Sequence, residues 1–229
     1  LIGLVGNDLA LGRSAEAIAV IEAFQRRWGS GREVYLLAAP VTPALAERAR
    51  EVARQDAQTY GPTYAGLDSR NHLWELGVWA ARDGNPAVAG AVAQRLAERA
   101  ARGNHFDSLL ASSVAAHAAL ARGDSLGALG RFEAVVGQAA PEVDLVWNVA
   151  GPRGLDRLLL GRLLIWRGQF ERAMRVLDVH DSSLPLVYPL YRKASLELRI
   201  QAATALNRPE TAAAYRARLA AWAGSPPGR

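Results

Sequence analysis

The stretch RGQFERAM, residues 167–174, lies between two apolar runs, and a close variant, RGDSLGAL, occupies residues 122–129. In each, a glycine is followed five residues later by an alanine: Gly168 by Ala173, Gly123 by Ala128. The same spacing joins Gly84 to Ala89. Before and after each glycine, apolar residues recur three and four apart, which gives each flanking segment one apolar stripe at helical period. The three stretches 73–100, 110–136 and 155–185 therefore read as helix, tight turn, helix. Glycine ends the first helix in a left-handed conformation that costs other residues energy. Phe170 packs at the start of the second helix, and the small Ala173 sits where the two helices touch. A bulky residue four further on, Phe132 or Leu177, fills the gap between pairs. A helix with one apolar stripe cannot bury it alone, so each pair must fold on itself and on the next pair.

The rest of the chain is read from this unit. A truncated copy opens the sequence, with Gly12 and Ala17, and a last copy covers 195–222 with Asn207 in place of the turn glycine and Arg199 where a buried leucine is expected. Residues 33–58 read as a short helix, a break at Pro40 and Pro43 with Thr42 as N-cap, and a second helix. Six hairpins result, at 1–28, 33–58, 70–101, 107–137, 154–180 and 186–223. Irregular pieces lie at 59–72, 137–154 and 180–190, and the expected domain is a single array over 1–223 with a disordered tail at 224–229.

Leu160-Gly161, Leu164, Gly168, Phe170, Ala173, Leu177 and Pro185 resemble the tetratricopeptide repeat, as do Leu76-Gly77, Ala80, Gly84 and Ala89. The third copy has Ala115-Ala116 where that family has Leu-Gly. The turn glycines are 39 and 45 residues apart, longer than the family's repeat of about 34. The ordering also resembles the C-terminal repeat regions of bacterial eukaryotic-type serine/threonine kinases and transcriptional regulators. The resemblance implies an all-α, right-handed superhelical array of antiparallel hairpins whose first helices line a peptide-binding groove. By position that groove comprises Asn71, Trp74, Val78 and Arg82, then His117, then Leu158, Arg162, Ile165 and Trp166, then Glu197 and Gln201. Its mix of Arg, His and aromatic residues suits a peptide bearing carboxylates. A groove that is solvated or packed on itself is the alternative, with Arg162 paired to Asp156 or Glu197 of its own chain; both readings bury Arg162.

Composition narrows the function classes. The 229 residues are half hydrophobic, and Ala, Leu and Arg, all helix-favouring, dominate. The net charge of +5 comes almost wholly from arginine. Interspersed carboxylates, as in AERAREVARQD at 46–56, make the basic residues a solvated face rather than a nucleic-acid patch. With no cysteine, disulfides, thiol catalysis and Cys-based zinc sites are excluded, while the compartment stays open between the cytoplasmic and extracytoplasmic sides of a bacterial cell. No apolar run reaches the roughly 18 residues of a membrane span. The opening at Leu1, inside an apolar run and without a basic leader, reads as a mature or excised piece of a longer chain.

Phosphate-binding glycine loops and a nucleophile elbow are missing from the sequence, and the histidines at 72, 105, 117 and 180 lack the spacing of a zinc-protease pair. Asp178, His180 and Asp181 form the densest polar cluster. They sit at a helix end, where Asp181, Ser182 and Ser183 act as turn formers rather than metal ligands. Trp74, Trp79, Trp166 and Trp222 read as packing residues on helices, and Trp147 as a clamp for the 137–154 insert. The expectation is a protein-binding module of a larger signalling or assembly protein, without catalysis, cofactor or metal. The alternative is a subunit fixed permanently to a partner through its inserts, which would expose Trp147, Leu186, Val187 and Tyr188.

Overall fold

The computed structural model describes residues 1–138, 153–182 and 184–223. Trp147, Ser183, most of the 137–154 insert, the side chain of Trp222 and the tail at 224–229 lie outside the described residues. Among the described residues there are twelve α-helices and no strand: α1 Ile2–Ala10, α2 Ser14–Trp28, α3 Val34–Ala38, α4 Ala46–Tyr60, α5 Arg70–Arg82, α6 Pro86–Ala100, α7 His105–Ala121, α8 Ser125–Gly137, α9 Gly154–Trp166, α10 Phe170–Leu177, α11 Arg192–Ala205 and α12 Pro209–Ala223. The chain is all-α. No described helix is long and apolar enough to cross a membrane.

The local rule read from 167–174 holds at five turns. Gly12, Gly84, Gly123, Gly168 and Asn207 have φ of 75°, 83°, 81°, 71° and 53°. Each is followed by a residue whose amide reaches back five positions: Arg13 to Asp8 O, Asn85 to Ala80 O, Asp124 to Ala119 O, Gln169 to Leu164 O and Arg208 to Ala203 O, at 2.8–3.0 Å. This is the bond that closes a helix on a left-handed residue. At two of the turns the same short loop starts the next helix, because Asn85 Oδ1 accepts from Val88 N and Asp124 Oδ1 from Gly127 N. Five residues after each turn stands an alanine, Ala17, Ala89, Ala128, Ala173 or Ala212, and all five are buried. In the partner helix, a Cβ added to Gly77 would lie 2.6 Å from Val92 Cγ1, and one added to Gly161 2.6 Å from Leu177. Small residues on both sides let the helices of a pair approach closely.

The chain divides into two compact units, a central one of Ser30–Ala140 and a terminal one of Leu1–Gly29 with Pro141–Arg229. In the central unit α5 packs against α3, α4, α6 and α7, and α7 against α8. Leu73 to Ala81 are all buried, so α5 forms the middle of the unit. The Pro40/Pro43 break is present, with a 3-10 turn at Pro43–Leu45. Thr42 holds the cap position, but its side chain makes no capping bond.

In the terminal unit α9 packs on α10 and α11, α10 on α11, and α11 on α12. The segment expected to begin the last hairpin instead forms a separate 3-10 turn, Tyr188–Tyr191, which packs against α1, α9 and α11. The fit on α1 is tight, since a Cβ on Gly6 would stand 3.3 Å from Leu190 N. The first helix thus rests on a segment distant in sequence, a contact that a hairpin-to-next-hairpin reading does not contain. Val187 and Tyr188 are buried and Leu186 is half-buried. Val187 and Tyr188 belong to the core of the unit, contrary to the exposure that a permanent interface through this insert requires.

Candidate functional site

In the terminal unit, α9 and α11 each carry exposed polar or aromatic residues. α9 is buried at Leu155, Leu158, Leu159, Leu160, Leu163, Leu164 and Ile165. Its outward positions are Arg162 and Trp166, one helical turn apart on the same face. Trp166 is 59% exposed, and the Arg167 guanidinium carbon lies 5.8 Å from its ring centroid. Arg162 is exposed and makes no hydrogen bond or ion pair with any described residue. The burial of Arg162 expected both for a ligand-binding groove and for a self-packed one does not occur, and neither does its pairing with Asp156 or Glu197: Asp156 is buried on the other side of the helix, and Arg162 points away from the leucines. On α11, Glu197 and Gln201 are likewise exposed one turn apart.

The other four expected groove residues lie in the central unit. Trp74 is a core side chain whose indole N–H donates to Ser113 Oγ at 2.9 Å. His117 is buried with its ring edge-on to Phe132, centroids 5.2 Å apart. Asn71 is half-buried, and Arg82 is exposed and donates to Pro40 O at 3.1 Å. Val78, Leu158 and Ile165 are core residues as well. No ring face of Trp74 or His117 is open to a ligand, because α5 and α7 are enclosed by the helices packed on them. Of the expected site, Arg82 in the central unit and Arg162, Trp166, Glu197 and Gln201 in the terminal unit are exposed.

The polar cluster at 178–182 is an internal tie. Arg199, fully buried, donates to Asp178 Oδ1 at 2.7 Å and to both oxygens of Asp181 at 2.8 and 2.6 Å. Arg218 of α12 pairs with Asp181 at 2.6 Å, and the Tyr215 ring lies 4.8 Å from the Arg199 guanidinium carbon. Burial pushes the Asp181 carboxyl up, but the bonds and charges of Arg199 and Arg218 outweigh it and hold the group at about 2. The arginine in place of the expected leucine is therefore buried as a leucine would be, with two carboxylates around its head. His180 stands between Leu177 O and Gly154 O, 3.0 Å from each, against Tyr188 and Tyr191. The two carbonyls favour its charged form, and burial prevails, lowering it to about 4. Among the described residues no group of three or more His, Asp or Glu side chains is arranged to hold a metal ion.

A cleft of about 250 Å³ opens in the central unit, lined in part by Arg50, Arg54, Tyr64, Trp79, Asp83 and Asn85. Its rim charges are paired: Arg50 Nε donates to Asp83 Oδ1 at 2.8 Å, and Arg54 donates twice to Glu51. No sequence signal marked this cleft, since its lining comes from α4, α5, α6 and the loop at 62–64, which share no motif. No known protein family, curated protein or solved structure matches the chain.

Proposed function

We propose that this chain is a non-enzymatic interaction module, built on helical hairpins of the tetratricopeptide-repeat kind, that binds a peptide or protein segment as part of a larger bacterial signalling or assembly protein. The observation that carries this reading is the pair Arg162 and Trp166. A large indole left 59% exposed beside an arginine without a partner among the described residues offers an apolar anchor and a forked donor at one place. Tryptophan and arginine are the residue types that dominate protein–protein hot spots. Glu197 and Gln201, exposed on α11, which packs on α9, are polar residues of the type found at the rim of such interfaces.

Selection from an unbiased displayed-peptide library against the whole chain tests the reading. Peptides enriched on the wild-type chain are expected to bind Trp166→Ala and Arg162→Ala more weakly by about 1–3 kcal/mol each. Melting midpoints should stay within about a degree of wild type, since both side chains are exposed. A library that yields no binder, or binders indifferent to both substitutions, refutes the α9–α11 face as the binding surface.

A further inference from the structure

Glu75 sits in the middle of the central unit, 3% exposed, between Trp74 and Leu76 on α5. Its Oε2 has no hydrogen-bond partner, and neither does the buried Oδ1 of Asn71 one helical turn earlier. From the start of α3 come Arg32, Glu33 and the buried Tyr35; from α4 comes Asp56, fully buried; α5 itself adds His72. The basic side chains near these acids are already engaged. Arg32 Nη2 donates to Asp56 Oδ1 at 2.5 Å and Arg32 Nη1 to Gln55 Oε1 at 3.2 Å, while His72 Nε2 stands 3.0 Å from Asp56 Oδ2. On the helices packed against the other side of α5, Arg95 and Arg99 of α6 donate to the carbonyls of Ala65, Leu67 and Asp68. Arg99 and Arg70 hold Asp107 of α7, and His117 of α7 faces Phe132. Glu75 thus has acids for charged neighbours and no cation bonded to it among the described residues.

We propose that Glu75 is a proton-operated lock of the central unit: its carboxyl carries a proton while α5 is packed, and loss of that proton loosens α5 from α3 and α4. Protonated, the Glu75 carboxyl becomes a hydrogen-bond donor on the same helix, one turn from the buried Asn71 Oδ1 that has no partner. An ionised one places a charge in the core beside Glu33 and Asp56 with nothing to balance it. Burial first, then the Glu33 and Asp56 charges, raise the group well above the ordinary carboxyl range. The sign follows. Below the unfolded value near 4.5, both states hold the proton and packing is strongest. As pH rises past that value, the unfolded chain releases the proton while the folded one must keep it, so stability falls until the folded group also ionises.

Hydrogen exchange of the full chain from pH 5 to pH 9, corrected for the intrinsic rate, reads the lock directly. Protection of 70–82 is expected to fall about tenfold or more with rising pH in the wild type. Glu75→Gln, which keeps the shape and removes the charge, should abolish that fall, whereas His72→Asn should retain it. A flat wild-type profile overturns the proposal whether or not either variant folds. So does a pH dependence that disappears in His72→Asn and survives in Glu75→Gln.

Discussion

Gly161 shows what the repeated spacing does at one residue. A methyl group there would meet Leu177 Cγ and Cδ2 at 2.6 Å, and Leu177 is itself fully buried against α9. Alanine is the better helix former by about 1 kcal/mol, but here the side chain it must displace has no room to move. Overpacking of about 1–3 kcal/mol outweighs the propensity gain, so Gly161→Ala should lower the urea midpoint. Gly130 is the converse. It lies on the exposed side of α8 with nothing within 4 Å of the added methyl. Gly130→Ala should therefore raise stability by about 0.5–1 kcal/mol. If Gly161→Ala raised the midpoint as Gly130→Ala is expected to, the close approach of α9 to α10 would be misplaced.

At the scale of an element, α12 buries little apolar surface of its own and carries ion pairs to neighbouring segments. Ala212 is its one fully buried side chain among the described residues, with Thr211, Tyr215 and Leu219 half-buried. Its charged contacts include Arg218 with Asp181 and Tyr215 over Arg199, and Arg208, just before the helix, pairs with Glu171. Asp181→Asn leaves the buried Arg199 with only the half-exposed Asp178. Stripping a buried ion of its main partner costs about 3–5 kcal/mol, and the surviving Asp178 bond moderates this to about 2–3 kcal/mol. Replacing Arg199 by methionine, which removes the buried charge instead of orphaning it, should cost less than Asp181→Asn. Urea unfolding ranks the two variants, and exchange at 209–223 should rise in Asp181→Asn. Greater damage from Arg199→Met would mean that the arginine stem and its stacking on Tyr215, not the ion pairs, hold α12. The hairpins themselves were legible in the sequence because each turn is decided within a few residues, by one left-handed position and the small alanine five further on. The tie at Arg199 was not, because its acceptors come from a segment about twenty residues earlier that reads locally as a turn.

Over the whole molecule, what the sequence could not supply was the pairing of distant segments. Nothing in residues 2–10 marks them as the partner of 188–191, and nothing in the spacing of Trp74 and His117 tells a groove-lining face from an enclosed one. Burial of α5 and α7 depends on helices whose approach no local pattern encodes. The same limit applied to charge, which looked scattered along the chain but divides unevenly in space. The central unit has eleven basic and eleven acidic residues, the terminal unit sixteen and eleven, so the entire net charge of +5 belongs to the terminal unit. We propose that this excess is not a nucleic-acid surface. Its exposed cations without a partner among the described residues, Arg26, Arg162, Arg175, Lys193 and Arg216, stand on five different helices, α2, α9, α10, α11 and α12. Helices pack about 8–10 Å apart, and an exposed arginine on one seldom shares a plane with one on the next. A duplex laid on this unit would be met by about two or three of them at once, which gives a shallow salt dependence, a slope of about −2 to −3 in log K against log salt. The chain is expected to bind a short DNA duplex no more tightly than the non-specific range of about 10⁻⁴–10⁻⁶ M at physiological salt, as read by fluorescence anisotropy. Submicromolar binding with a slope steeper than about −5 would mean that these cations converge on one face, and would move the partner of the terminal unit from peptide to nucleic acid.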